Sequence, residues 1–132
     1  MKVKISIETK QYDENGNNDT IFINTEGELY EKNDFFHIVY KEENNTNKLS
    51  INKKTNEVSI KKFGEITSKM IFRKNSRDFI KYSTPYGIFN MDINTNSLDL
   101  DINDNGIFLK IDYDIKIENL FNGKNEINIK II

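Results

Sequence analysis

The stretch Phe89–Ile117, "FNMDINTNSLDLDINDNGIFLKIDYDIKI", decides the fold. Its apolar side chains fall at 89, 91 and 93, then 98, 100 and 102, then every second position from 107 to 117. Strict alternation of this kind marks strands with one buried face. Each change of parity coincides with a turn signal, first "NTNS" and then "NDNG". A two-residue loop at Thr95-Asn96 would place Ile93 opposite Leu98, Met91 opposite Leu100 and Phe89 opposite Ile102. A type I′ turn at Asn105-Gly106 would place Ile102 opposite Leu109, Leu100 opposite Ile111 and Leu98 opposite Tyr113.

The window Asp101–Asp112 also has the oxygen spacing of a calcium-binding loop, with Gly106 at the sharp turn. Such a loop needs a helix on each side, and both flanks here have period two. The hairpin is the better reading. It sets Asp99 opposite Asp112, and two facing carboxylates leave room for a weakly bound cation.

The rhythm extends in both directions. Leu49 and Ile51 face Ile60 and Val58 across a loop at Lys54-Thr55. "VKISIETKQY", "TIFINTEGELY" and "DFFHIVYKE" read as strands upstream. "SKMIFRK", "RDFIKYS" and "NEINIKII" read as strands downstream. Gly27 inside a strand pattern suggests a bulge or a bend, and Pro85 in "STPYG" marks a turn or the start of a strand. The chain has no alanine, and six leucines stand against 21 isoleucines. Isoleucine is stiff at its β-carbon and suits strands, whereas alanine is the best helix former. Twenty asparagines suit turns. The expectation is one all-β domain over 1–132, an up-and-down antiparallel β-barrel of about eight to ten strands. A two-sheet sandwich is the rival.

There is no cysteine, so disulfides and thiolate chemistry are excluded. No run approaches ~18 apolar residues, and the first ten residues alternate instead of forming a signal-peptide core. A cytoplasmic protein is expected.

"KYSTPYGIFNMDINTNSLDL" carries a resemblance. The pattern Tyr82, Thr84-Pro85-Tyr86-Gly87, Met91 and Thr95 resembles the YwiB-like family of small bacterial proteins. Gly27, Tyr40, Glu42, Met70, Phe72, Gly106 and Tyr113 continue it over most of the chain. The resemblance implies a calycin (lipocalin-like) barrel able to hold a small ligand, and no known reaction. Typical lipocalins carry Gly-x-Trp near the first strand. This chain has no tryptophan, so their pocket residues are not transferred.

Candidate chemistry is sparse. Tyr40, Tyr82 and Tyr113 are in phase with core positions, and a buried phenol needs a partner that a ligand can supply. Arg73 offers a planar fork for an anion, although its phase points it to the surface. His37 is the only histidine; without cysteines or neighbours it suggests no zinc site. No Gly-rich phosphate loop, nucleophile elbow or apolar carboxylate pair is present, so no cofactor, metal or catalytic residue is expected. The leading expectation is a non-enzymatic barrel binding a small, largely apolar molecule through Tyr40, Tyr82, Tyr113, Arg73 and His37. The alternative is an interaction module. Residues 48–81 hold ten cations against three acids, while the rest holds nine cations against 18 acids. That asymmetry suits an anionic partner such as RNA or an acidic membrane or protein surface, although no specific nucleic-acid motif is present.

Overall fold

The computed structural model covers residues 1–132 and contains ten strands and no helix. They are β1 (Lys2–Asp13), β2 (Asn18–Lys32), β3 (Phe35–Glu42), β4 (Asn45–Asn52) and β5 (Val58–Gly64). The second half holds β6 (Ser68–Phe72), β7 (Arg77–Thr84), β8 (Gly87–Asn103), β9 (Gly106–Ile117) and β10 (Phe121–Ile131). Every strand pairs antiparallel with its sequence neighbour, except across the β6–β7 break. β1 and β10 pair along nine residues, from Ile5–Ile131 to Asp13–Gly123, and close the ring. The two remaining edges, β6 and β7, meet at a single bridge. Thr67 and Ser83 exchange both backbone hydrogen bonds there, at 2.9 Å each. The result is a nearly closed up-and-down barrel, as the alternation predicts. It has no helix long and apolar enough to cross a membrane.

Asparagine builds the corners. Asn33, Asn56, Asn75 and Asn119 all take positive φ between strands, a conformation this side chain tolerates better than most. The β4–β5 hairpin has the expected register, Leu49 to Ile60 and Ile51 to Val58. Pro85-Tyr86 forms the β7–β8 turn. Thr84 Oγ accepts from the Tyr86 N–H at 3.1 Å.

Three expectations are corrected. There is no hairpin at Thr95-Asn96. β8 runs straight through, and a β-bulge between Thr95 and Ser97 inserts one residue against β9. An extra residue reverses parity without reversing the chain. Met91 and Ile93 therefore face the same interior as Leu98 and Leu100, opposite Ile117, Ile115, Ile111 and Leu109.

The β8–β9 corner is Asp104-Asn105, one residue earlier than Asn105-Gly106. Neither residue has the positive φ of a type I′ turn. The register shifts by two. Ile102 faces Ile107, Leu100 faces Leu109 and Leu98 faces Ile111. Asp99 faces Lys110, and Asp112 pairs with Lys124 at 3.3 Å. The two carboxylates do not face each other, which removes the basis for a cation between them.

Gly27 makes no bulge, for β2 pairs on both sides without a shift. A Cβ there would run into the Val39 carbonyl and the Ile5 side chain. Close approach of three strands is what requires glycine.

The interior is packed at one end. Ile5, Ile38, Ile51, Val58, Phe72, Ile93, Ile111 and Ile131 are almost wholly buried there. Burial of a side chain of this size stabilises by about 1.5–3 kcal/mol before the entropy cost.

Candidate functional site

The other end of the barrel is not filled. A cavity of about 290 Å³ opens among β1, β3–β10 and the start of β2, near the lower limit of ordinary ligand sites, roughly 300 Å³. Its walls are apolar: Ile7, Ile23, Ile60, Met70, Met91 and Ile127 face into it. Phe72 forms part of the packed floor. Its ring meets that of Tyr113 at 4.8 Å and 58°.

Two rows of polar side chains cross these walls, each set by strand register. One runs Tyr40, Asn47, Lys62, Ser68 from β3 to β6. The other runs Tyr113, Asn125, Gln11 from β9 through β10 to β1, with Thr95 of β8 next in register beyond the cavity lining. In the first row Asn47 donates its amide N–H to Glu42 at 3.1 Å, and Lys62 lies 3.6 Å from the same carboxylate. In the second, Asn125 donates to the Tyr113 hydroxyl at 3.0 Å.

The acceptors are left over. Asn47 is 0% exposed and Asn125 4%, and neither amide oxygen has a hydrogen-bond partner. The Thr95 hydroxyl, 1% exposed, has none either. A buried polar atom without a partner costs about 1–3 kcal/mol. Burial pushes the Tyr113 phenol up to about 12, against the opposing hydrogen bond from Asn125. Burial raises Tyr40 further still, helped by the negative charge of Glu42. Both are therefore neutral phenols in any physiological buffer.

The cavity gathers Tyr40, Tyr82 and Tyr113. It does not gather the other two expected residues. His37 points out of the barrel, where its Nδ1 lies 2.8 Å from Ser50 Oγ and its ring stacks on Phe35. Strand parity puts it opposite to Ile38 and Tyr40. Arg73 follows β6 and pairs with Asp78 at 3.0 Å and Glu57 at 3.6 Å on the surface.

Sequence reasoning missed Asn47, Asn125 and Thr95. The signal was present. Asn47 is in phase with Leu49 and Ile51, Asn125 with Ile127 and Ile129, and Thr95 with Met91 and Ile93. A polar residue continuing an apolar parity must point inward.

A broader trough of about 610 Å³ lies outside the barrel along Phe79, Lys81, Asp92 and Lys116. It is larger, but its lining is mostly charged or amide side chains that solvent already satisfies.

Fold and site together define a class: a ten-stranded, nearly closed up-and-down barrel, half packed and half hollow, with polar rows around the hollow. The family model described as "Domain of unknown function (DUF1934)" matches residues 5–129, and the chain belongs to that family. The crystal structure of the ywiB protein from Bacillus subtilis superposes with a TM-score of 0.85 at 17% identity. The match covers 98% of this chain and 89% of that one. The YwiB-like resemblance holds, and the shared property is the fold. Among curated proteins, none matches the sequence.

Proposed function

We propose that this protein binds a small molecule inside the open half of its barrel, with an apolar body and hydrogen-bond donors. One observation carries the reading. The Asn47 amide oxygen is fully buried, has no donor, and lines an apolar cavity of about 290 Å³. Its geometry cannot be rescued by rotating the amide, because the Glu42 carboxylate beside it accepts only. The Asn125 amide presents the same demand from the opposite wall. A ligand with hydroxyl or amine groups answers both, while Ile7, Met70 and Met91 cover its apolar part.

The role is one of binding and not catalysis. The cavity lining has one carboxylate and one cation, Glu42 and Lys62, and they neutralise each other at 3.6 Å. Native mass spectrometry of freshly purified protein tests the proposal. A co-purifying small molecule, released on denaturation, is the expected result. A bare mass, with no thermal stabilisation by any member of a panel of small hydroxylated and aminated amphiphiles, defeats it.

A further inference from the structure

Across most of the outer surface, neighbouring strands alternate in sign. Asp99 faces Lys110, Asp114 faces Lys124 and Lys10 faces Glu126. The outer face of β4, β5 and β6 breaks this pattern. Lys48 faces Lys61, and Lys61 faces Lys69. None of the three is among the ion pairs, which take Lys53, Lys54 and Lys62 from the same region. Lys41 is the fourth cation facing outward from β3 to β6, and no carboxylate shares those positions. Strands lie ~4.8 Å apart, so the three-lysine row compresses its charges into about 10 Å. Like charges directly opposite each other destabilise a sheet. The fold gains nothing from them.

Aromatic rings flank the row. Lys48 Nζ lies 5.8 Å from the centre of the Tyr30 ring, and Lys61 Nζ lies 4.8 Å from that of Phe63. Phe35 stacks on His37 at 5.5 Å and 9°, and His37 in turn meets Tyr30 at 5.0 Å. Tyr30, Phe35 and Phe63 are exposed. In the neighbouring outward row, on the side away from Phe63, Ser50 and Ser59 face each other with short hydroxyl side chains.

We propose that this face binds single-stranded nucleic acid. The Lys48–Lys61–Lys69 row holds backbone phosphates, and the exposed rings of Tyr30, Phe35 and Phe63 stack bases. Cations beside partly exposed aromatic rings on a sheet are the chemistry that single strands require. An acidic peptide would use the lysines and leave the rings idle. A lipid surface calls for protruding apolar side chains, whereas Tyr30 and Phe63 lie beside lysine ammonium groups. The face points away from the cavity, so the two proposals stand or fall separately.

The test is fluorescence anisotropy with the full chain at low salt. The probes are labelled oligo(U) and oligo(dT) of about a dozen nucleotides, with phosphatidylserine vesicles as a separate arm. Binding of either oligonucleotide is expected, with log K falling against log salt at a slope of about −2, since each phosphate contact contributes roughly 0.7. Lys61→Glu should weaken binding at least ~10-fold and flatten that slope. Its thermal midpoint should not fall, because the substitution relieves repulsion. Phe63→Ala should weaken binding about 10-fold with the slope unchanged. Three results overturn the proposal: no oligonucleotide binding at low salt, binding indifferent to Lys61→Glu, or binding to vesicles alone.

Discussion

The amide of Asn125 donates to the hydroxyl of Tyr113 at 3.0 Å, and the two residues sit directly opposite each other on β10 and β9 inside the barrel. Both are buried, and this is the one side-chain hydrogen bond that either makes. Tyr113→Phe should therefore cost about 1–3 kcal/mol, because it orphans the amide N–H beside an already orphaned oxygen. The double variant Tyr113→Phe with Asn125→Leu should cost less than the two single changes summed. Urea denaturation of the four proteins measures the coupling.

The same phenol sets an alkaline limit. The Tyr113 pKa is raised in the fold to about 12, and Tyr40 is raised as well, both chiefly by burial. The folded state thus holds these protons more tightly than the unfolded chain, whose tyrosines titrate near 10. The stability they contribute is intact below pH ~10 and is lost as pH rises toward 12. Ultraviolet titration should show the two buried phenols, Tyr40 and Tyr113, ionising only as the barrel opens.

His37 sets the acid side in the reverse sense. Partial burial, then the charges of Lys48 and Lys32, lower its pKa from the usual value. The unfolded chain takes up this proton first. Stability should accordingly fall as pH drops through and below ~6.5. An NMR titration of the His37 ring should give a midpoint below that of a free imidazole, and His37→Gln should flatten the stability curve in that window.

Asn47→Leu separates stability from binding. It removes an acceptor that nothing satisfies, so the empty barrel should gain about 1 kcal/mol. The proposed ligand should be lost at the same time. A higher melting temperature together with loss of any co-purifying molecule is the expected outcome, and such opposed effects are common at binding sites. A lower melting temperature would show that the Asn47–Glu42 hydrogen bond outweighs the orphaned oxygen.

Deleting Asn96 tests the bulge. The deletion removes the one unpaired residue, so the Thr95–Tyr113 and Ser97–Asp112 pairs become consecutive and Leu98, Leu100 and Ile102 still face inward. A cooperative unfolding transition should survive, and its loss would show that the bulge itself, with its local bend, is needed to shape the barrel. Ala at position 96 keeps the residue count and should leave the transition near that of the parent chain.

The barrel was legible in the sequence because two-residue periodicity is a property of the strand itself. Ile107, Leu109 and Ile111 announce their shared face without reference to any other part of the chain. What joins one strand to the next was less so. A parity change at Thr95–Ser97 is the same signal whether the chain turns back or inserts a residue, and the partner strand decides which. The corner at Asp104-Asn105 misled for a related reason: Asn-Gly favours a tight turn locally, but pairing along all of β9 sets the register. For the site, the tyrosines were visible by phase. The asparagines were visible by the same rule, but their abundance in turns drew them toward loops. The lysine row was out of reach, since Lys48, Lys61 and Lys69 meet only when three strands align.

The lone Thr67–Ser83 bridge has a consequence for how the protein is made. The break in the sheet lies mid-chain, between β6 and β7, while the ladder that completes the ring joins β1 to β10. A ribosome releases β1 long before its partner exists. Until β10 is made the nascent sheet keeps two bare edges, and the apolar faces of Val3, Ile5 and Ile7 wait for that strand. Barrel closure therefore waits for β10, and the interval before β10 emerges is when this chain is most exposed to pairing with a neighbour.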